Sequence, residues 1–369
     1  MKILVTGAAG FVGKNVTSSL HNHGYEVFAY NKDDSLEELD NYLKESDFII
    51  HLAGVNRPEN VEDYYRGNSD FTDYLCKQLL TFNRKTPILL SSSIQASLDN
   101  PYGKSKLLAE QTIIDYSISS GAEVFIYRFH NLFGKWSTPN YNSVIATWCY
   151  NISRNIPISI NNPDTEITLE YIDDVVTEMI STLKGSPNRI DTYYCSVSKN
   201  YETKLGSIAQ TLQSFKEGRS SLVIPNLGDE LIKKLYSTYL SYLDPKDFSY
   251  SLVSHIDERG SFTEFLKSSD RGQVSINVSK PGITKGNHWH HTKHEKFLVV
   301  RGEGVIKLRE IDSDTVYSYK VSGDELNVID IPAGYTHSIV NESNEDLITI
   351  IWVNEIFDQN NPDTYTMEV

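Results

Sequence analysis

The hydrophobic pattern of this 369-residue chain changes period at Asp244-Pro245-Lys246-Asp247. Before that point, short continuous apolar runs alternate with stretches of helical spacing. Residues 2–6 form the first run and 10–23 the first helical stretch; 26–30, 48–52, 87–91 and 124–127 continue the series of runs. Runs of this kind separated by helices predict a parallel sheet covered on both faces. Two more helices are expected at 204–215 and 228–243, and Pro245 then stops the pattern. Beyond it, residues 274–278, 297–300, 305–309, 327–331 and 347–352 read as short alternating strands. Glycines and polar turns separate them, and no long helix is evident. That is the pattern of an all-β sandwich or barrel. Two domains, 1–246 and 247–369, are therefore expected, in keeping with about 100–200 residues per domain.

Charge and leader pattern narrow the functional classes. The chain has 49 acidic and 34 basic side chains, a formal charge of −15. That balance argues against nucleic acid or an anionic membrane surface as partner, though an anionic small ligand needs only a local pocket of donors. No apolar run approaches the ~18–20 residues of a membrane span. Met1-Lys2-Ile3-Leu4-Val5 enters a strand without the marks of a signal peptide, so a cytoplasmic location is expected. Cys76, Cys149 and Cys195 are odd in number and far apart, as reduced structural residues would be.

Gly7-Ala8-Ala9-Gly10-Phe11-Val12-Gly13 joins the first strand to the first helix. Glycine permits a tight turn and close approach of backbone to a pyrophosphate, and the helix N-terminus supplies free N–H groups. The spacing is GxxGxxG. The second strand ends in Asn31 and Lys32, where NAD enzymes usually carry an acid for the ribose 2′-hydroxyl. These residues would tolerate a 2′-phosphate, which favours NADP; Asp33 on the ribose is the NAD alternative.

Tyr102 and Lys106 lie four apart at the start of a helix and share one face. A free tyrosine, with a pKa of about 10, is a poor proton-transfer group at neutrality. A nearby lysine favours the phenolate; a shift to ~7 requires roughly 4 kcal/mol. Ser91-Ser92-Ser93 closes the preceding strand and offers a hydroxyl for the substrate oxygen.

With His51-Leu52-Ala53-Gly54, Arg128-Phe129-His130-Asn131-Leu132-Phe133-Gly134 and Tyr171-Ile172-Asp173-Asp174-Val175, these segments make residues 1–243 resemble the extended short-chain dehydrogenase/reductase family. The resemblance implies a Rossmann-like, doubly wound α/β parallel sheet. It makes Tyr102 the proton donor or acceptor and Lys106 its pKa-lowering, ribose-binding partner. Ser93 would orient the substrate oxygen. Gly7, Gly10, Phe11, Val12, Gly13, Leu52, Ala53 and Gly54 would cradle the cofactor with Asn31 and Lys32. Two departures stand out. Only eight residues separate Ser93 from Tyr102, so Ser92 is an alternative working serine. The stretch before Tyr171 lacks the usual basic residues, leaving Arg128, Lys135 and Arg154 as candidates for a diphosphate.

Five of the ten histidines fall in two patches, 282–302 and 332–341. On a strand His288 and His290 point to the same face; Glu295 follows a turn and His337 lies on a separate strand. Three imidazoles and a carboxylate suit a divalent transition metal. The spacings GxxxxxHxHxxxxExxxxxxG and PxGxxHxxxN make residues 251–369 similar to the cupin family. That implies a cupin barrel with His288, His290, Glu295 and His337 as ligands. A divalent metal is expected, with zinc preferred and manganese, iron and nickel not separated from it by sequence; His294 is an alternative ligand, and a metal-free cupin whose histidines do acid–base work is the other reading.

The fusion of the two resembles the CapF-type enzymes of capsular polysaccharide biosynthesis. It implies a bifunctional nucleotide-sugar enzyme, expected as a homodimer. The cupin would epimerise C3 of a UDP-2-acetamido-2,6-dideoxy-4-hexulose, a UDP-activated 4-keto-6-deoxy-N-acetylhexosamine. The reductase would reduce the C4 ketone with NADPH, giving UDP-N-acetyl-6-deoxy-L-talosamine. The alternative is a single-function NADP-dependent sugar reductase with a structural or dimerising cupin.

Overall fold

A computed structural model describes residues 1–369. Its contacts group into two compact units, one of residues 1–212 with 234–244 and the other of 213–233 with 245–369.

In the first unit the elements run β1 (Lys2–Thr6), α1 (Phe11–Asn22), β2 (Glu26–Tyr30), α2 (Leu36–Glu45), β3 (Phe48–His51), α3 (Glu62–Tyr64), α4 (Phe71–Thr81), β4 (Ile88–Ser93), α5 (Pro101–Ser120) and β5 (Val124–Phe129). Then come β6 (Asn131–Phe133), α6 (Val144–Ser153), β7 (Glu166–Tyr171), α7 (Ile172–Leu183), β8 (Tyr194–Cys195) and β9 (Tyr201–Lys204). Helix α8 (Leu205–Ser221) passes from the first unit into the second, and most of α9 (Glu230–Ser241) returns to the first. The main sheet is parallel, in the order β2-β1-β3-β4-β5-β8; β6, β7 and β9 form a small second sheet.

The continuous apolar runs are explained by burial on both faces. Ile3 and Val5 of β1 pack with Val16, Leu20, Val175 and Met179 of α1 and α7. Leu4 points the other way, among Leu39, Leu43, Leu75 and Ile113 of α2, α4 and α5. The strand order reverses between β1 and β3, and ligands of such sheets bind beyond the carboxyl ends of the strands at that point.

The second unit contains β10 (Ser254–Asp257), β11 (Gly260–Ser268), β12 (Gly272–Ser279), β13 (Thr284–Trp289), β14 (Glu295–Arg301) and β15 (Glu303–Glu310). It continues with β16 (Val316–Ser322), β17 (Val328–Ile331), β18 (Tyr335–Asn341), β19 (Leu347–Val353) and β20 (Tyr365–Thr366). They form two antiparallel sheets, β10-β11-β12-β19-β14-β17 and β16-β15-β18-β13-β20. Phe297, Val299 and Ile351 of the first share a core with Ile306, Leu308 and Ile339 of the second.

Several strands run longer than the apolar alternation predicts, because ladder pairing continues through polar residues. Four of this unit, β10, β11, β16 and β20, were not read from the sequence. β11 carries a register shift between Glu264 and Leu266 that breaks its period of two. β16 has five exposed residues in a row, so the alternation of Tyr317, Tyr319 and Val321 marks no buried face.

Candidate functional site

The glycine turn sits at the carboxyl end of β1. Gly7 adopts φ +71°, and a Cβ there would lie 2.9 Å from the Ala53 nitrogen. A Cβ on Gly13 would meet the Gly7 carbonyl oxygen at 2.2 Å, so α1 can close on the turn only through glycine. The start of α1 has no side-chain cap and no acidic residue in its first turn, which leaves a positive helix end open to an anion. Phe11 and Val12 open that helix. Asn31 serves the turn itself: its Oδ1 accepts the Ala9 N–H at 2.7 Å. Lys32 and Asp33 are exposed.

The neighbouring crossing, Leu52-Ala53-Gly54, is held by a directional chain of hydrogen bonds. Thr72 gives its hydroxyl proton to the Asn68 carbonyl at 2.5 Å, so its oxygen accepts from His51 Nε2 at 2.9 Å. His51 Nδ1 then accepts from Thr6 Oγ1 at 2.7 Å, and Thr6 accepts the Ala53 N–H at 3.2 Å. The chain requires neutral imidazole, and burial brings the His51 pKa down to about 3.

Tyr102 stands in the first turn of α5. Asn100 caps that helix by accepting the Gly103 N–H at 2.8 Å, and Pro101 occupies the position where a missing N–H costs nothing. Lys106 is buried one turn on, and its Nζ donates to the Ser91 carbonyl at 3.0 Å. A Cβ on Gly54 would lie 3.1 Å from that Nζ. Burial lowers the Lys106 pKa to about 8, against an opposing pull from Glu110. Burial pushes the Tyr102 phenol up, with the Ser93 hydroxyl opposing, and the Lys106 ammonium is directed to the Ser91 carbonyl. The ring of Tyr64 lies 5.7 Å from that of Tyr102.

The two serines separate by strand alternation. Ser93 is beside the Tyr102 phenol, whereas buried Ser92 donates to Glu110 Oε1 at 2.5 Å. Glu110 is fully buried and also receives Arg128 Nε at 2.9 Å, Arg128 Nη2 at 2.6 Å and the Tyr194 hydroxyl at 2.9 Å. This carboxylate ties α5 to β4, β5 and β8 directly behind Ser93 and Lys106. Sequence reasoning missed it, although Glu110 sits one turn beyond Lys106. It also missed Asn68, in a π-helical stretch Tyr65–Asp70, which bridges Val55 and Ser105. Glu110→Ala is expected to destabilise this unit by about 3 kcal/mol. That is the lower end for breaking a buried pair, because Arg128 keeps partial access to water. The urea midpoint for loss of cofactor binding reads it; a change below about 1 kcal/mol, the range of a surface pair, would contradict it.

None of the three diphosphate candidates is free. Arg128 is committed to Glu110, Arg154 to the Tyr242 carbonyl at 2.7 Å, and Lys135 to Asp173 at 2.5 Å. A cavity of about 550 Å³ between β5 and the 190–200 segment is lined by Arg128, His130, Glu170 and Tyr194. It excludes Ser93, Tyr102 and Lys106, and those four residues already pair among themselves.

In the second unit, His288, His290, Glu295 and His337 bring one ligand atom each to within 4.8 Å of one another. Paired β13 and β18 place His288 opposite His337, and a bulge after Gly286 re-aims His288. A Cβ on Gly286 would lie 2.7 Å from the His337 carbonyl oxygen. Glu295 opens β14. Its Oε2 stands 3.0 Å from His337 Nε2 and 3.7 Å from His290 Nε2, yet none of these buried atoms makes a well-directed hydrogen bond. Burial brings the His288 pKa down to about 4. For Glu295 burial acts upward, but His290 and His337 outweigh it and hold the carboxyl at about 2. A neutral imidazole and an ionised carboxylate, converging with polar atoms otherwise unsatisfied, fit a divalent cation. His294 is turned to the Trp352 ring, 5.6 Å away, and is outside the cluster.

The fold and both sites place the chain in a family. Residues 3–190 match the NAD dependent epimerase/dehydratase family, to which the chain belongs, and residues 255–365 match the polysaccharide biosynthesis C-terminal domain. Among its relatives, a protein of Pseudomonas aeruginosa named UDP-2-acetamido-2,6-beta-L-arabino-hexul-4-ose reductase is 44% identical over 370 residues, covering 100% of this chain and 99% of its own. The crystal structure of the capsular polysaccharide assembling protein CapF from Staphylococcus aureus is 52% identical, covers 100% of both chains and superposes with a TM-score of 0.94. A structure of CapF with the inhibitor 3-isopropenyl-tropolone is 48% identical over both full chains, with a TM-score of 0.89. No helix is long and apolar enough to cross a membrane.

Proposed function

We propose that the chain is a bifunctional nucleotide-sugar enzyme of capsular polysaccharide biosynthesis. Residues 1–246 act as an NADPH-dependent reductase and 247–369 as a metal-binding cupin with epimerase activity. The substrate is a UDP-2-acetamido-2,6-dideoxy-4-hexulose. Its C3 is inverted and its C4 ketone reduced, giving UDP-N-acetyl-6-deoxy-L-talosamine.

The observation that carries the reading is the coexistence in one chain of a proton-donor set and a candidate metal-ligand set. Ser93, Tyr102 and Lys106 form one, and His288, His290, Glu295 and His337 the other. The full-length likeness to a named UDP-4-keto-sugar reductase supports the substrate class.

When bound, NADPH supplies a hydride for C4, and a divalent metal supplies positive charge to stabilise an enolate oxygen of the sugar. The backbone of Gly7–Gly13 and Leu52–Gly54 holds the cofactor, with Lys106 on the nicotinamide ribose. Ser93 orients the C4 oxygen, and Tyr102 gives it the proton that completes the alcohol. The C4 ketone acidifies the proton on C3; a base in the C-terminal unit takes it from one face, and a proton donor on the other face protonates the enolate carbon to invert it. The exposed Lys32 just beyond β2 supports NADPH over NADH.

Adding a UDP-4-keto-6-deoxy-N-acetylhexosamine to the protein and NADPH is expected to consume NADPH in proportion to the sugar. No loss of reduced-nicotinamide absorbance would contradict the reading.

A further inference from the structure

Between β19 and β20 the chain leaves the two sheets and returns to the histidine cluster through Asp363. The His290 Nδ1 lies 2.6 Å from the Asp363 carbonyl oxygen. A carbonyl only accepts, so Nδ1 carries a proton and Nε2 is the nitrogen left to face Glu295 and an ion beside it. The carboxylate of the same residue gathers the next three backbone amides. Its Oδ1 accepts the His291 N–H at 2.9 Å; its Oδ2 accepts the Thr292 N–H and hydroxyl, each at 2.9 Å, and the Lys293 N–H at 3.1 Å. One residue thus fixes both the orientation of His290 and the turn that leads from it to Glu295.

The strap around Asp363 is fastened on both sides. Lys293, itself buried, donates its ammonium to the Pro362 carbonyl. After it, Met367 N–H donates to the Asn287 carbonyl at 2.9 Å, Thr336 Oγ1 donates to the Met367 carbonyl at 2.5 Å, and Arg309 to the Glu368 carbonyl at 2.7 Å. Tyr365 lies 5.0 Å from Trp289, ring to ring. Three of these anchor residues, Asn287, Trp289 and Thr336, stand next to candidate ligands in the chain. None is used by the proposed chemistry.

We propose that Asp363 is the positioning residue of the metal centre. Its carbonyl locks His290 as the Nδ1–H tautomer, and its carboxylate holds the 291–293 turn so that His290 and Glu295 meet one ion. The proposal rests on the reading of His288, His290, Glu295 and His337 as metal ligands. A hydrogen-bond partner on the far side of a metal-binding imidazole typically changes affinity about 10–100-fold.

Asp363 has φ +37°, a region glycine enters freely. Asp363→Gly therefore removes the carboxylate and leaves the backbone relaxed. In the full-length protein this variant keeps the carbonyl on His290 and frees only the 291–293 turn, so it is expected to bind Zn(II) about 10-fold more weakly, the low end for a supporting partner, in competition with a chromophoric chelator. Its Co(II) complex is expected to show shifted visible bands, while NADPH binding is unchanged. Asp363→Asn keeps one acceptor oxygen and is expected to recover part of the affinity. Wild-type Zn(II) affinity together with an unaltered Co(II) spectrum in Asp363→Gly would overturn the proposal. If that variant does not fold, the tautomer decides: ¹⁵N NMR of wild-type protein loaded with Zn(II) should place the His290 proton on Nδ1, and a proton on Nε2 would overturn it. A wild-type protein that takes up no Zn(II) would instead remove the metal reading and this proposal with it, a result distinct from an unaffected variant.

Discussion

Tyr102→Phe is expected to cut NADPH oxidation by about 10²–10⁴-fold, the contribution of a positioned general acid, while C3 of the same keto-sugar continues to exchange its proton with D₂O. The substitution removes one oxygen from a ring that sits against Tyr64. It leaves the α5 cap, the Lys106 contact to Ser91 and the Glu110 cluster in place. Hydride transfer to C4 needs a proton for the developing alkoxide, and the Tyr102 hydroxyl beside Ser93 is the donor the geometry offers. Exchange at C3 depends on other residues, in the C-terminal unit. Loss of both activities together, with NADPH binding intact, would contradict this division of labour.

Removing divalent metal with a chelator is expected to have the opposite effect. Deuterium uptake at C3 should fall by at least about 10²-fold, the scale of losing one group that stabilises a developing oxyanion. NADPH binding to the N-terminal unit should persist. His337→Ala should behave like the chelated protein, since His337 is buried and its Nε2 is 3.0 Å from Glu295. Readdition of Zn(II) should restore exchange to the chelated wild type and not to His337→Ala. A structural or dimerising cupin predicts something else: a lower melting temperature for the C-terminal unit, with the same sugar stereoisomer produced at every metal loading.

What could be read from the sequence is what is local in the chain. The glycine turn, the Tyr102–Lys106 pair and the His288–His290–Glu295 spacing each lie within a few residues, so period and chemistry suffice to place them on one face. The Glu110 cluster joins residues 92, 110, 128 and 194, and no spacing rule connects them. The same holds for Asp363, which meets His290 across 73 residues. The choice between Ser92 and Ser93 turned on which neighbour each faces, since either residue could end the strand. Arg128, Arg154 and Lys135 were reasonable candidates for a diphosphate by charge alone. Their partners, Glu110, the Tyr242 carbonyl and Asp173, come from elsewhere in the fold.

The most direct test of the whole account is the stereochemistry of the product. Protein loaded with Zn(II), NADPH and a UDP-2-acetamido-2,6-dideoxy-4-hexulose should give one sugar, with C3 inverted and C4 reduced, as read by the ring proton couplings in NMR. A product reduced at C4 with C3 unchanged, from fully metal-loaded protein, would contradict it.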